Sequence, residues 1–334
     1  MLRRKVAALA VVCAAVGSGC SSGQPSDELM VTDKPVAAAA AVSPPTTVPP
    51  AGTVTPLTGT PTALAINKNV LAVAVDKPPS VLLYRLGDAD SLSAPKTVPL
   101  SAPADTLTVD DDALLAAVGK SGELVRITPD GKAKPAATIS GETVSAVRFG
   151  DRTLVAVRDR RAVAVLGGDK IYRMITGDLM SADQVLSTGK GAVVLDRLRN
   201  AVFQLDVGAG TVDQGLRAGQ GATNAVADRF GRVLVTDTRG GALLAFSLDP
   251  LLLRQNYPVP GAPYAIAYDQ KRDLAWVTLT ETNEVVGYEI AGEQPKEKYR
   301  FPSVAQPDSV TVDPSSGRVV VASGTGKGIQ VISL

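Results

Sequence analysis

Three features of the amino-acid sequence predict an all-β fold, a seven-bladed β-propeller closed by an N-terminal strand. Apolar runs recur at a nearly constant interval, a short Ala/Val-rich segment precedes each run, and helical periodicity is absent beyond the first twenty residues. A repeat of about 40–45 residues that contains four strands is the period of a propeller blade. The predicted propeller occupies residues 53–334.

The repeat is measured from the residue that ends each apolar run. These residues are Asp76, Lys120, Asp159, Asp196, Asp237, Leu279 and Ser323. The intervals between them are 44, 39, 37, 41, 42 and 44 residues, a mean of about 41. Seven runs at this spacing predict seven blades.

The order of segments inside each repeat predicts the four strands. A small-residue segment such as "TNAVA" or "PYAIA" suits an inner strand crowded near the axis, and "ADRFGR" or "DPSSGR" suits a tight hairpin in which Gly supplies a positive φ. The apolar run follows as a second strand buried on both faces. The third strand often carries an aromatic residue, and the fourth is more polar, as in "KEKYRF".

The ends of the propeller predict how the ring closes. The seventh repeat stops at Leu334, just after its third strand, and "TVTPL" at residues 53–57 precedes the first repeat without a partner of its own. Pairing this segment as the outer strand of the last blade removes an open sheet edge, which is a hazard in β proteins.

The repeats at 224–248 and 307–332 resemble the NHL and YVTN families of propeller repeats, and they lack the Trp-Asp and Gly-His pairs of WD repeats. With its N-terminal segment, the whole chain is similar to conserved mycobacterial propeller lipoproteins of the LppL type. This resemblance implies the propeller fold and a lipid anchor, and it implies no particular activity.

The N-terminal residues predict the location of the protein in the cell. Arg3, Arg4 and Lys5 precede an apolar run too short to span a bilayer, and Cys20 follows small residues, as in a bacterial lipoprotein signal. Residues 1–19 are therefore predicted to be a signal peptide and Cys20 to carry acyl chains such as palmitate. An ordinary cleaved signal is the alternative, because Gly17 stands where Leu or Val is usual. The expected location is the extracytoplasmic face of the cell membrane.

Residues 20–52 are predicted to be a disordered linker. The stretch "AAAAAVSPPTTVPPAG" is rich in proline and small residues and offers almost nothing to bury. A proline-rich segment of this kind is typical of an extended spacer between an anchor and a domain.

Composition excludes several classes of function. Removing residues 1–19 leaves 31 Lys+Arg against 33 Asp+Glu, a net charge of −2, which does not suit a nucleic-acid binder. The chain has no histidine, so Ser-His-Asp and Cys-His nucleophiles and His-ligated zinc are excluded. No catalytic residue, cofactor or metal ion is predicted. Cys20 is the only cysteine after the signal, so no disulfide is expected.

A binding surface is predicted on one face of the propeller. Connections between blades and turns between second and third strands open on the same face, where arginines of three adjacent blades form an arc: Arg158, Arg160, Arg161, Arg197, Arg199 and Arg239. Polar residues ahead of and within the inner strands are predicted to lie beside them: Gln220, Asn224, Tyr264, Gln306 and Asp308. Guanidinium groups suit carboxylates or phosphates. The alternative is that Asp159, Asp196 and Asp237 pair with the neighbouring arginines in a solvated rim.

Two classes of function remain open. One is a lipid-anchored binding or scaffold module whose partner is a protein or an anionic cell-envelope molecule. The other is a propeller enzyme, either a lactonase-like hydrolase or a quinoprotein, with Asn224 and Asp308 as channel ligands. Quinoproteins of this fold carry a tryptophan in each blade, and this chain has a single tryptophan. The binding module is favoured.

Overall fold

The computed structural model describes residues 34–334, in which regular structure is β-sheet apart from 3-10 turns at Asp88–Asp90 and Gly119–Ser121. The predicted signal peptide (1–19) and Cys20 lie outside the described residues. No helix within residues 34–334 is long and apolar enough to cross a membrane.

Five sheets have four antiparallel strands each, in the order predicted for propeller blades. The first is β2 (Pro61–Asn67), β3 (Val70–Asp76), β4 (Pro79–Arg85) and β5 (Lys96–Pro99). The second is β6 (Thr106–Asp110), β7 (Ala113–Val118), β8 (Glu123–Ile127) and β9 (Ala133–Thr138). The third is β18 (Ala222–Ala227), β19 (Arg232–Asp237), β20 (Ala242–Ser247) and β21 (Leu252–Pro258). The fourth is β22 (Pro263–Asp269), β23 (Leu274–Leu279), β24 (Glu284–Glu289) and β25 (Lys296–Pro302). The fifth is β26 (Pro307–Val312), β27 (Val319–Ser323), β28 (Ile329–Ile332) and β1 (Thr53–Thr55).

The sixth sheet has eight strands and departs from the prediction of seven separate blades. Its halves are β10 (Thr143–Phe149), β11 (Arg152–Val157), β12 (Ala162–Gly167) and β13 (Lys170–Thr176), then β14 (Gln184–Thr188), β15 (Gly191–Asp196), β16 (Ala201–Asp206) and β17 (Thr211–Arg217). Each half is an antiparallel meander, and the outer strands β13 and β17 join through one parallel pair, Thr176 with Thr211. The arrangement is a β-propeller with five four-stranded blades and this nearly closed eight-stranded sheet.

The second strands form the core because apolar residues occupy both of their faces. All six residues of β7 are buried, and so are all six of β23, including Trp276 at 0% exposure. Outer strands such as β13 and β25 are mostly exposed. Burial therefore falls from the second strand outward, as the apolar runs predict.

The N-terminal strand closes the last sheet as predicted. β1 pairs antiparallel with β28, with Thr53 opposite Val331 and Thr55 opposite Ile329. Ile329 and Val331 are fully buried. The first and last segments of the propeller thus share one sheet, and β28 has no open edge.

The prediction that residues 20–52 form a free linker is wrong for part of their described range. Residues 34–52 have no regular secondary structure, but residues 36–44, here called the strap, lie against the propeller. Ala38 is only 1% exposed, whereas Val42 is 90% exposed. Small side chains and main-chain polar groups therefore supply packing that composition alone did not indicate.

Candidate functional site

A central channel runs along the inner strands β2, β6, β10, β14, β18, β22 and β26 and has a volume of about 830 Å³. One end is lined by Asp105, Arg158, Asp183, Arg197 and Asp308. The other end is lined by Lys68 and Gln270, which lie in the hairpin turns after β2 and β22. The first end, with the turns and connections around it, is called the channel face. It is the face on which the sequence predicted a binding surface.

Carboxylates at the ends of second strands build the channel face by holding the connections between sheets. Asp237 Oδ1 accepts hydrogen bonds from the main-chain N–H of Gly221 (2.7 Å) and Gly240 (3.0 Å), and its Oδ2 accepts one from Gln220 N–H (3.0 Å). An added Cβ at Gly240 would lie 2.0 Å from Oδ2 of Asp237, so this turn needs a glycine.

Asp159 and Asp196 act in the same way as Asp237. Asp159 Oδ1 accepts from Glu142 N–H (2.7 Å), and Asp196 accepts from Met180 N–H (2.7 Å) and Arg199 N–H (2.9 Å). The alternative interpretation had these carboxylates pair with neighbouring arginine side chains. In the described part of the chain their contacts include main-chain donors of the connections, so the carboxylates order the turns.

Replacing Asp237 with Ala is expected to destabilise the protein by about 2–4 kcal/mol, because three main-chain N–H groups lose their acceptor in a turn where Asp237 is 3% exposed. Asp206→Ala is the matched control, since exposed Asp206 accepts one hydrogen bond from Ala209 N–H (2.7 Å), and its loss should cost less than about 1 kcal/mol. Urea unfolding of both variants measures the difference. Equal losses would contradict the role given to Asp237.

The six arginines lie in the predicted turns, but their surroundings differ. Arg158 Nε lies 2.9 Å from Asp183, and its Nη1 lies 3.5 Å from Asp105 and 3.6 Å from Glu142. Burial raises the pKa of Asp105 above its usual range, against the lowering effect of Arg158. Three carboxylates around one guanidinium leave Arg158 with no excess positive charge for an anionic ligand.

The other arginines divide into exposed and engaged side chains. Arg160 and Arg161 are exposed, and Arg160 Nη2 donates to Ser140 Oγ (2.6 Å). Arg199 lies over the ring of Phe203, 5.8 Å from its centroid. Arg197 and Arg239 each donate to a carbonyl oxygen of the strap, as described below.

Of the five polar residues predicted to lie in the channel, Asn224, Tyr264 and Asp308 line it, whereas Gln220 and Gln306 are not among its lining residues. Most of their hydrogen bonds are made within the propeller itself. Asn224 Nδ2 donates to the carbonyl of Tyr264 (3.1 Å), and Gln306 Nε2 donates to Asp308 Oδ1 (2.8 Å). Burial raises the pKa of Asp308, and the Gln306 hydrogen bond opposes that shift. Gln220 is exposed, and its main-chain N–H is held by Asp237.

The strap crosses the channel face from Arg239 to Asn283. Arg239 Nη2 donates to the Val36 carbonyl (2.9 Å), and Arg197 Nη2 donates to the Ala38 carbonyl (2.5 Å). Gln306 Nε2 donates to the Ala41 carbonyl (2.9 Å). Its Oε1 accepts from Ser43 N–H (3.0 Å). The predicted cationic arc is thus partly occupied by main-chain atoms of the same polypeptide.

Residues that the sequence interpretation missed complete these contacts. Thr280 Oγ1 accepts from Ala41 N–H (3.2 Å), the Thr280 carbonyl accepts from Ser43 Oγ (2.6 Å), and Asn283 Nδ2 donates to the Pro44 carbonyl (2.8 Å). Thr280 and Asn283 lie in the turn between β23 and β24, the position equivalent to the arginine turns. A search of every such turn for polar side chains, rather than for arginine alone, would have found them.

No protein-family model and no curated protein sequence matches the chain. Solved structures resemble it in fold. A catalytically inactive virginiamycin B lyase from Staphylococcus aureus, with quinupristin, has a TM-score of 0.68 at 13% identity over 84% of this chain and 98% of its own. The WD40 β-propeller domain of Doa1 has a TM-score of 0.68 at 11% identity, covering 84% and 95%. Kuenenia stuttgartiensis hydrazine synthase has a TM-score of 0.66 at 14% identity, over 82% of this chain and 96% of its own. Likeness at this identity shows the β-propeller fold alone.

Proposed function

We propose that this protein is a lipid-anchored, extracytoplasmic β-propeller that acts as a binding or scaffold module, with a partner protein docking at the channel face. The observation that carries the proposal is that Arg197, Arg239 and Gln306 hydrogen-bond the main chain of an extended polypeptide, residues 36–44. Side chains that recognise main-chain carbonyl and N–H groups suit a polypeptide ligand of extended conformation.

The groups that surround the arginine side chains favour a protein partner over an anionic envelope molecule. Arg158 is surrounded by carboxylates, and Arg197 and Arg239 face carbonyl oxygens. Carbonyl groups carry only partial charge, so the contacts of Arg197 and Arg239 fit a peptide ligand more closely than a phosphate or carboxylate ligand. Arg160 and Arg161 remain exposed at the edge of the face and suit acidic residues flanking such a peptide.

We also propose seven blades of the NHL or YVTN type, in a protein similar to the mycobacterial propeller lipoproteins. The count treats each half of the eight-stranded sheet as one blade, which is supported by their shared four-strand antiparallel pattern and by the single pair that joins them. Buried apolar clusters lie between each successive pair of four-strand groups, and one of them links β3 to β27 and β28, closing the ring. The anchor rests on the sequence around Cys20.

The enzyme alternative has less support. The similar lyase is catalytically inactive as a histidine-to-alanine variant, and this chain contains no histidine with which to repeat that chemistry. Asn224 and Asp308, the two candidate channel ligands, hydrogen-bond Tyr264 and Gln306. Within residues 34–334, no group of three or more His, Cys, Asp or Glu side chains is arranged to hold a metal ion.

Photocrosslinking in cells tests the binding proposal. A benzophenone amino acid at Arg160, exposed in the turn between β11 and β12 on the channel face, is expected to give a discrete protein adduct identifiable by mass spectrometry. The same probe at Tyr172, 65% exposed on the outer strand β13, is the control and should give none. Adducts of equal yield at both positions, or none at Arg160, would contradict docking at the channel face.

A further inference from the structure

The strap is held at the channel face chiefly through its main chain. Eight hydrogen bonds join residues 36–44 to the propeller within the described part of the chain, and six of them use strap carbonyl or N–H groups. Only the hydroxyl of Ser43 contributes from a side chain. Main-chain groups are the same in every polypeptide apart from proline N, so another extended segment can make the same six bonds.

The Gln306 amide acts as a substitute for a neighbouring strand. Its Nε2 donates to the carbonyl of Ala41 and its Oε1 accepts from the N–H of Ser43, at 2.9 and 3.0 Å. One N–H of this carboxamide is directed to Asp308, and the other, together with Oε1, presents a donor and an acceptor as a peptide group does, so it pairs with residues two apart in an extended chain. Pro44 and Pro45 favour the extended conformation that this pairing needs.

Two strap positions are selective for their side chains. Ala38 is 1% exposed beside Gly221, where an added Cβ on the glycine would lie 3.0 Å from the Ala38 Cβ and 2.9 Å from Arg239 Cβ. No larger side chain fits between them without displacement. Ser43 Oγ donates to the Thr280 carbonyl (2.6 Å) and accepts from Gln306 N–H (3.1 Å), which a hydroxyl satisfies and an alkyl group does not. Residues 36, 39 and 42 are exposed and carry no such restriction.

We infer that the channel face is a peptide-binding site for an extended segment with a small residue in the Gly221 slot and a serine five positions later, and that residues 36–44 are its resident ligand. The inference deepens the proposed function and rests on it for the partner's role. Because the strap is tethered to the site, it competes at a high effective concentration, so a partner segment binds only as the strap leaves. The channel face is accordingly masked until a matching segment displaces residues 36–44.

A fluorescent peptide of residues 34–46, added to full-length protein in detergent, tests the inference by polarisation. Ala38→Leu should expel the strap from its slot and open the site, so the peptide is expected to bind this variant at least about tenfold more tightly than the unmodified chain. Ala39→Leu, at the adjacent exposed position, is the matched control and should behave as the unmodified chain. A second opened chain, from which residues 36–44 are deleted, keeps β1 and should bind the peptide equally well.

Peptide variants test the two selective positions. Peptides with Ala38→Leu or Ser43→Val are expected to bind the opened chains at least about tenfold more weakly, whereas Ala39→Leu in the peptide should have little effect. Failure of the peptide to bind either opened chain at about 1 mM, or equal binding to all four chains, would overturn the inference. Peptide binding without a cellular adduct at Arg160 would leave the site standing and refute the scaffold proposal alone.

Discussion

A chain that begins at residue 61 is expected to aggregate during purification, whereas one that begins at residue 51 should remain folded and monomeric. The longer deletion removes β1 and leaves the N–H and C=O groups of β28 unpaired along a buried strand. Ile329 and Val331, both fully buried, then lie at an exposed edge that can pair with another molecule. The shorter deletion keeps β1 in its register with β28.

The cost of the shorter deletion comes from the strap. The hydrogen bonds of residues 36–44 are part-buried or exposed, so their loss is expected to lower the melting temperature by only about 2–4 °C. Light scattering after size exclusion and thermal unfolding of both chains measure the two effects. Equal melting temperatures and equal monomer fractions would contradict closure of the ring by β1.

Replacing Cys20 with Ala is expected to release the protein into the medium or to leave an unprocessed precursor. A diacylglyceryl group on Cys20, with or without an added N-acyl chain such as palmitate, supplies at least about two chains, which suffice for stable attachment. Cys13→Ala is the matched control, because Cys13 lies inside the predicted signal and should be removed with it.

Fractionation with mass spectrometry of the mature N-terminus decides the anchoring prediction. The unmodified chain and the Cys13→Ala variant should both remain in the membrane fraction with a lipidated first residue. Membrane retention and normal processing of the Cys20→Ala variant would refute the lipoprotein interpretation.

The fold could be predicted from the sequence because the features that determine it recur in successive repeats. The apolar run of β3 and that of β19 both bury successive residues and both end at a polar residue, Asp76 or Asp237. Each such Asp holds the connection to its own sheet: Asp76 accepts from Thr60 N–H (2.8 Å) as Asp237 accepts from Gly221 N–H. The missing partner of "TVTPL" likewise predicted the pairing of β1 with β28.

The contacts of the strap could not be predicted from the sequence, and the reason is physical. Residues 36–44 bind chiefly through main-chain carbonyl and N–H groups, which are present whatever the amino-acid composition. The composition of this stretch therefore predicted a linker with almost nothing to bury. The parallel pairing of β13 with β17 involves only Thr176 and Thr211, and no sequence pattern predicts it. Arginines in turns were found, but a sequence shows neither that Arg158 faces three carboxylates nor that Arg197 faces a carbonyl.

Binding of a partner at the strap-bearing channel face is measured by the yield of the Arg160 crosslink in cells that carry the unmodified chain, Ala38→Leu or Ala39→Leu. A higher adduct yield is expected in the Ala38→Leu background than in the unmodified chain, with Ala39→Leu unchanged. A yield that is the same in all three chains, or lower when the strap is displaced, would contradict binding of a partner at this face.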